Sequence, residues 1–418
     1  MRLAVLAVFF FMFMAAANAN GWRFGGHLKY QYTHTDYRSD DVNAVFGGDP
    51  VQDHELDFRV KAENRTGPWD ITAHYEFLAI GGDTLQTRRA FSAAGLLSSG
   101  MITGLPDDRR RLFDLTEEIR DRDRVAAVHR LDRLSLGHSS ARRVLRFGRQ
   151  VISWGNGLVF HVLDFVNPFS PIAIDKDFKT GDDMFYGQWL LDGSSDVQVI
   201  VLPRRNPATH KLAGDQSSYA VKVHTRLGEI DLDLLGARHF DENLIGVGFV
   251  KSIGGAVWRL DGSVTDVKGD NNAFSLVINL DYSWIWDGKN VYGYIEYFRN
   301  GVGETDRAKY ASPDPALSER INRGELFTLG RDNAALGLRI EISPLFNLFN
   351  NLIWNLNDGS IFYQLRSVYD WKQNVQIMAG INLPLGNRGD EYGGIPTAVP
   401  GTFAAPGRSV YVRVGYFF

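Results

Sequence analysis

The chain has 418 residues, no cysteine, a 44% hydrophobic share, and 45 Lys and Arg against 49 Asp and Glu, for a net charge of −4. Its mean hydropathy of −0.19 excludes a polytopic helical membrane protein, whose spans each need about 20 consecutive apolar residues. Slight acidity argues against a nucleic-acid partner, and the missing thiols exclude disulfides, thiolate metal sites and a cysteine nucleophile.

The first element is a leader. Met1-Arg2 precedes an apolar run from Leu3 to Ala17, closed by Ala17-Asn18-Ala19. A positive start, a short apolar stretch and small residues before the cut describe a secretory signal peptide, expected to be cleaved after Ala19. Residues 20–418 then form one exported unit.

From Trp22 onward the chain has a single period. Trp22, Phe24, Gly26, Leu28, Tyr30 and Tyr32 alternate with Arg23, Gly25, His27, Lys29, Gln31 and Thr33. Successive side chains of a strand point to opposite faces, so one face is apolar and the other polar. The pattern returns at Leu56–Glu63, Trp69–Phe77, Tyr219–His224, Phe274–Ser283 and Leu336–Ile342. Eighteen strands are expected, starting near residues 22, 54, 69, 126, 143, 184, 195, 218, 229, 244, 256, 273, 291, 332, 346, 360, 375 and 409. Alternation is broken near 126, 143 and 195, and a count of 16 stays open beside eighteen.

Short turns such as Gly67-Pro68, Gly254-Gly255 and Asp287-Gly288 alternate with long connections at 38–53, 81–125, 151–183, 203–217, 302–331 and 386–408. Turns on one rim and loops on the other describe a transmembrane antiparallel up-and-down β-barrel with short periplasmic turns and long extracellular loops. Trp22, Trp69, Trp189, Trp284, Trp286, Trp354, Tyr369 and Tyr416 fall toward strand ends, where aromatic girdles sit. Arginine in place of lipid-facing Leu338 or Ile278 should impair assembly; at inward Gly337 or Asn279 it should be milder.

The polar faces hold charges of both signs. Arg59, Lys61, Glu63, Glu76, Lys222, Asp231, Asp233, Arg259, Asp261, Arg339, Glu341, Arg366 and Arg413 should point inward. They can either form a selectivity ladder or neutralise one another. Of the long connections, 151–183 is too aromatic to float in water, with Trp154, Phe160, Phe165 and Phe169. It either caps the rim or folds into the lumen, where Arg146, Arg149, Asp164, Asp175, Asp177 and Lys179 would form a constriction. Its acids match no calcium-loop spacing, and neither a metal nor a cofactor is expected.

In the 81–125 connection, Asp107 to Arg124 holds seven acids and six arginines. Leu112, Leu115 and Ile119 share a helical face there, so a short amphipathic helix is expected. That charge run either stays solvated or contacts lipopolysaccharide. A second helix is expected at Ala316 to Arg323, in a loop that either gates or covers the rim. The ten histidines form no HExxH, and no nucleophile elbow is present, so no enzyme is expected.

The final strand sets Val410, Val412, Val414, Tyr416 and Phe418 against Tyr411, Arg413, Gly415 and Phe417. It resembles the C-terminal strand of Gram-negative outer-membrane proteins, which implies that Tyr416 and Phe418 are read by the barrel-assembly machinery. The stretch Leu145–Gly155 resembles the strand-to-loop segment of Gram-negative outer-membrane porins and, more distantly, of the alginate-export barrels. Ser343-Pro344-Leu345, Asp358-Gly359-Ser360 and Glu391-Tyr392-Gly393-Gly394 are similar to their final hairpins. The resemblance implies an 18-stranded channel for a hydrophilic solute, set in outer-membrane lipid and lipopolysaccharide. The inward acids depart from the arginine-rich lumen of the exporters. Three functions stay open: a passive porin, a dedicated exporter of a polysaccharide or small molecule with a periplasmic partner, and a non-conducting structural or adhesin barrel.

Overall fold

Period-two segments become antiparallel strands along the whole chain. The computed structural model describes residues 21–94, 102–269 and 272–418; the expected leader lies outside the described residues. Strands β1 (Trp22–Asp36), β2 (Val51–Thr66), β3 (Trp69–Gly82), β4 (Thr116–Arg122), β5 (Val125–Ser139) and β6 (Arg143–Gln150) come first. Next are β7 (Asp182–Leu190), β8 (Asp196–Leu202), β9 (Ser218–Leu227), β10 (Ile230–His239), β11 (Glu242–Ile253) and β12 (Ala256–Asp266). They continue as β13 (Ala273–Trp286), β14 (Lys289–Arg299), β15 (Asp332–Ser343), β16 (Phe346–Asn355), β17 (Ile361–Lys372) and β18 (Val375–Leu385). A two-stranded ribbon, β19 (Ile395–Pro396) and β20 (Phe403–Ala404), precedes the last strand, β21 (Arg408–Phe417). Helices α1 (Val42–Gly47), α2 (Asp83–Ala93) and α3 (Pro315–Asn322) lie in the long connections.

β21 pairs with both β18 and β1, and β1 with β2, so the sheet closes on itself. Eighteen strands make the wall. Closure leaves no strand edge, which a wall in hydrocarbon requires. Tight turns hold one rim: Asp287 and Gly288 both take positive φ, 49° and 70°, the twist-compatible pair of a two-residue hairpin.

β4 is the sheet member outside that count. β5 pairs with β6 only over Leu134–Ser139, and with β4 over Val125–Arg130. β4 thus takes the place of β6 above Gln150, where the chain leaves the wall. This corrects the expected helix at Leu112, Leu115 and Ile119. The upper edge of β5 would otherwise keep unpaired backbone groups, and satisfying that edge outweighs a short helical pattern. α3, in contrast, forms within one residue of its expected position, with Pro315 at its first turn, where a missing N–H costs nothing.

Burial is inverted relative to a water-soluble protein. Leu28 and Tyr30 are exposed, whereas His27 and Lys29 beside them are 1% and 4% exposed. Leu134, Phe147, Val221, Leu234, Ile278, Ile295, Leu336 and Val412 are likewise exposed, while Arg59, Glu76, Asp132, Asp261 and Glu296 are buried. The apolar band therefore faces outward and the charges face inward, an arrangement suited to lipid outside and water within. No helix among the described residues is long and apolar enough to cross a membrane.

The inward positions are not all roomy. A Cβ on Gly337 would strike the ring of Tyr294, and Asn279 is 2% exposed and hydrogen-bonded on both sides. Arginine at either site therefore overpacks a filled interior, which narrows the expected difference from Leu338 and Ile278.

Candidate functional site: a loop folded into the barrel

The connection from β6 to β7, residues 151–181, enters the lumen. Its inward half is apolar: Ile152, Trp154, Val159, Phe160, Leu163, Phe165 and Val166 pack on inward residues of the wall, among them Met184, Ile200, Leu202, Leu235, Val277 and Phe298. Phe160 stacks on Phe298 at 4.7 Å and 16°. This burial removes the aromatic surface from water and holds the loop inside.

Two carboxylates on the far wall fix the tip. Glu296 of β14 accepts from the backbone N–H of Leu158, Val159 and Phe160 at 2.6, 2.9 and 2.7 Å, and from Asn279 Nδ2 at 3.0 Å. Asp261 of β12 accepts from Asn156 N and Nδ2 at 2.5 and 2.7 Å. Asn279 also donates to Asn156 O at 3.0 Å. Irregular backbone inside a barrel needs such partners, and bonds to charged acceptors are the stronger kind.

The returning half follows the wall. Gln364 and Arg366 of β17 donate to the carbonyls of Ile172 and Ile174 at 3.1 and 3.2 Å. Asp175 then meets Lys29 at 2.7 Å and Arg413 at 2.5 Å, and Asp177 meets Lys29 at 2.6 Å. Burial opposes ionisation of Asp175, yet Arg413 and Lys29 hold its carboxyl below the usual carboxylate range. The Phe178 ring lies 4.3 Å from the Arg59 guanidinium and 5.7 Å from Lys61 Nζ, within cation–π reach. Burial pushes Lys176 down to about 8, with Arg366 adding to the effect.

The six expected constriction residues are not brought together. Lys179 and Asp164 form a buried pair within the loop at 2.5 Å, and Lys179 also donates to Ile152 O at 2.7 Å. Burial pushes the Asp164 pKa up and the Lys179 pKa down. Arg149 is fully buried against Asp183 at 2.8 Å. That pair also binds both backbone groups of Phe113: Arg149 donates to its carbonyl at 2.8 Å, and Asp183 accepts from its N–H at 2.8 Å. It anchors the segment leading into β4 and reaches no solute. Arg146 lies 3.5 Å from Asp70, nearer the short-turn rim. Asp177, with its side chain 55% exposed, and Asp175 are the members beside open space.

The other inward charges mostly find partners. Arg59 pairs with Glu76 and with Asp132 at 2.8 Å, and Arg130 and Arg133 complete that buried cluster. Arg259 pairs with Asp281. Arg339 and Glu341 are 4.0 Å apart and partly exposed. Tyr416 and Phe418 lie on the outward face of the last strand, and Phe418 exchanges backbone hydrogen bonds with Gly26 at 2.8 and 3.2 Å.

Space remains on both sides of the loop. Toward the short-turn rim a 560 Å³ cavity is lined by Arg23, Glu63, Asp70, Arg146, Gln188 and Ser153, among others. Toward the long-loop rim a 230 Å³ cavity is lined by Thr33, Asp53, Glu55, Thr84 and Arg88.

Solved structures share the barrel fold. Acinetobacter baumannii OccAB2 superposes with a TM-score of 0.52 at 10% identity, over 95% of this chain and 98% of that one. The fold is that of the porins. A mutant porin of Rhodopseudomonas blastica is also similar, with a TM-score of 0.46 at 10% identity, covering 95% of this chain and 100% of that one. No protein-family model and no curated protein sequence matches the chain.

Within this porin fold, Glu296, Lys29, Phe178 and Asn279 escape site assignment by sequence. Glu296, Lys29 and Asn279 read only as polar members of periodic segments and Phe178 as one more aromatic residue of the long connection, and the partners that give them a role lie more than a hundred residues away.

Proposed function

We propose that the chain is a passive channel across the outer membrane for a hydrophilic solute, and that the 151–181 loop sets the width and charge of the passage. The observation that carries this reading is the polar space on both sides of a loop pinned across a closed barrel. Polar space on either side of the loop suits the passage of a hydrophilic solute. On this reading the passage narrows beside Asp175, Asp177 and Lys29, with Arg413 and Lys61 adjoining, and the chain performs no chemistry. The outward apolar band supports residence in the outer membrane, with Tyr416 and Phe418 as the segment that assembly machinery would read.

Conductance in a planar bilayer tests the proposal. The wild-type barrel should carry ions, and Asp175→Asn/Asp177→Asn should shift selectivity toward anions, because Lys29 and Arg413 lose their counter-charges. A folded barrel that carries no current overturns it. The apolar cluster around Trp154 and Leu163 favours a second reading, an exporter whose loop moves only when a periplasmic partner engages it. That reading expects weak current from the barrel alone.

A further inference from the structure

The cavity toward the short-turn rim holds a row of polar side chains whose hydrogen-bonding capacity the protein leaves unused. Asp70 of β3, Gly137 of β5, Arg146 of β6 and Tyr186 of β7 are cross-strand partners in unbroken register. These positions face the lumen, since their chain neighbours Ile71, Leu136, Phe147 and Phe185 are exposed on the outer wall. Gly137 leaves a depression between the two charges, where a Cβ would strike the Asp70 carboxylate. Arg146 Nε lies 3.5 Å from Asp70 Oδ2, yet it is enclosed without a hydrogen-bond partner. Among the described residues no hydrogen bond reaches the side chain of Asp70, Arg146 or Tyr186.

One step toward the rim, Gln188 of β7 faces Gln198 of β8 in register. The Trp154 indole donates to Gln198 Oε1 at 2.8 Å, so the base of the infolded loop forms one side of the same space. Gln150 also lines it and is 4% exposed. Its Nε2 donates to the Met184 carbonyl at 3.1 Å, while its Oε1 receives no donor among the described residues.

The charges stand in opposed pairs, Arg146 against Asp70 and Arg23 against Glu63 at 3.3 Å. A ligand with net charge therefore meets attraction and repulsion together. A hydroxyl carries both donor and acceptor, so it can donate to Asp70 while accepting from Arg146, and bonds to charged groups are the strong kind. The Gln188 carboxamide offers the same two functions. Tyr186 adds an apolar ring with a polar tip. Adjacent hydroxyls on an apolar ring are what this lining matches, and 560 Å³ falls within the range of about 300–1,000 Å³ typical of small-molecule sites.

We propose that this cavity binds a neutral saccharide, with Asp70, Arg146 and Gln188 bonding its hydroxyls and the Tyr186 ring against its apolar face. The proposal rests on the channel reading, because it takes the cavity as the inner vestibule of the passage. Calorimetric titration of the wild-type barrel in lipid nanodiscs with maltose, cellobiose and trehalose should give millimolar or tighter binding of at least one. Gluconate and choline, of similar polarity but charged, should bind at least about tenfold more weakly. Arg146→Met should weaken the sugar at least about tenfold, with the heat-dependent gel shift of a folded barrel retained. Gln188→Leu, which leaves every charge in place, should weaken it in the same direction, and Arg226→Gln, elsewhere on that rim, should not.

No binding of any of the three disaccharides, tighter binding of gluconate or choline, or folded Arg146→Met and Gln188→Leu barrels that bind like wild type each overturns the site. A barrel that conducts without binding sugar leaves the channel reading intact. One that binds sugar but carries no current overturns the passage and not the pocket.

Discussion

Replacing Glu296 with glutamine should release the tip of the infolded loop while leaving the barrel intact. The carboxylate receives four donors: Val159 N and Phe160 N on one oxygen, Leu158 N and Asn279 Nδ2 on the other. A carboxamide keeps one oxygen but turns its NH₂ toward the other two donors, so two bonds are lost and donor faces donor. Hydrogen bonds to a charged group contribute about 1.5–3 kcal/mol each, giving a loss of about 3–6 kcal/mol at the tip. The Asp261 clamp on Asn156 and the Phe160–Phe298 stack remain, so the loop should stay within the lumen and open locally. Hydrogen exchange at the amides of residues 158–160 should then accelerate by about two to four orders of magnitude. Conductance should rise with added open-channel noise. Wild-type protection at all three amides in a folded Glu296→Gln barrel would refute the carboxylate as the anchor.

The same geometry sets three further outcomes. Arg149→Met should lower the urea midpoint of unfolding, because the buried Asp183 loses its ion partner, a loss of about 3–5 kcal/mol. Removing both charges in Arg149→Met/Asp183→Leu should recover part of this, and a single variant as stable as wild type argues against the pair as an anchor. Ile278→Arg should reduce the folded fraction in lipid by about 2–4 kcal/mol, the cost of a lipid-facing charge near the midplane; a conservative Ile278→Leu should not. Glu391, in the last long loop, accepts from Leu329 N, Gly330 N and Asn355, and burial pushes its pKa up to about 7. A raised acid binds its proton more tightly in the folded state. The stability it contributes is therefore complete below about pH 4.5 and lost as pH rises through 7. Proteolysis of the 302–331 and 386–407 loops should increase between pH 5 and pH 8 in the wild type and stay flat in Glu391→Gln.

The wall was legible because strands on an inside-out barrel keep their two faces chemically distinct. All eighteen expected starts fall within three residues of the observed ones. Where alternation breaks, a local cause exists. In β5, Asp132 is an extra residue opposite the His74–Tyr75 step, so Asp132 and Arg133 both reach the buried charge cluster. In β8, Ile200 and Leu202 are inward yet apolar because they pack on the loop, which hides the period. The site was less legible. Its aromatic content marked the 151–183 segment as infolded, but nothing local tells that Glu296 holds backbone or that Arg149 serves β4. Those contacts join segments far apart in sequence, and only closure of the barrel brings them together.

The substitution of β4 for the upper part of β6 bears on how such a protein can change over time. A strand that turns into its own lumen would ordinarily leave a breach in the circumference. Here a tongue from the preceding loop covers the edge of β5 that β6 abandons, and the Arg149–Asp183 rivet fastens its base. The plug can therefore lengthen, shorten or be exchanged without altering the perimeter, so the permeability of the barrel is open to revision independently of its seal.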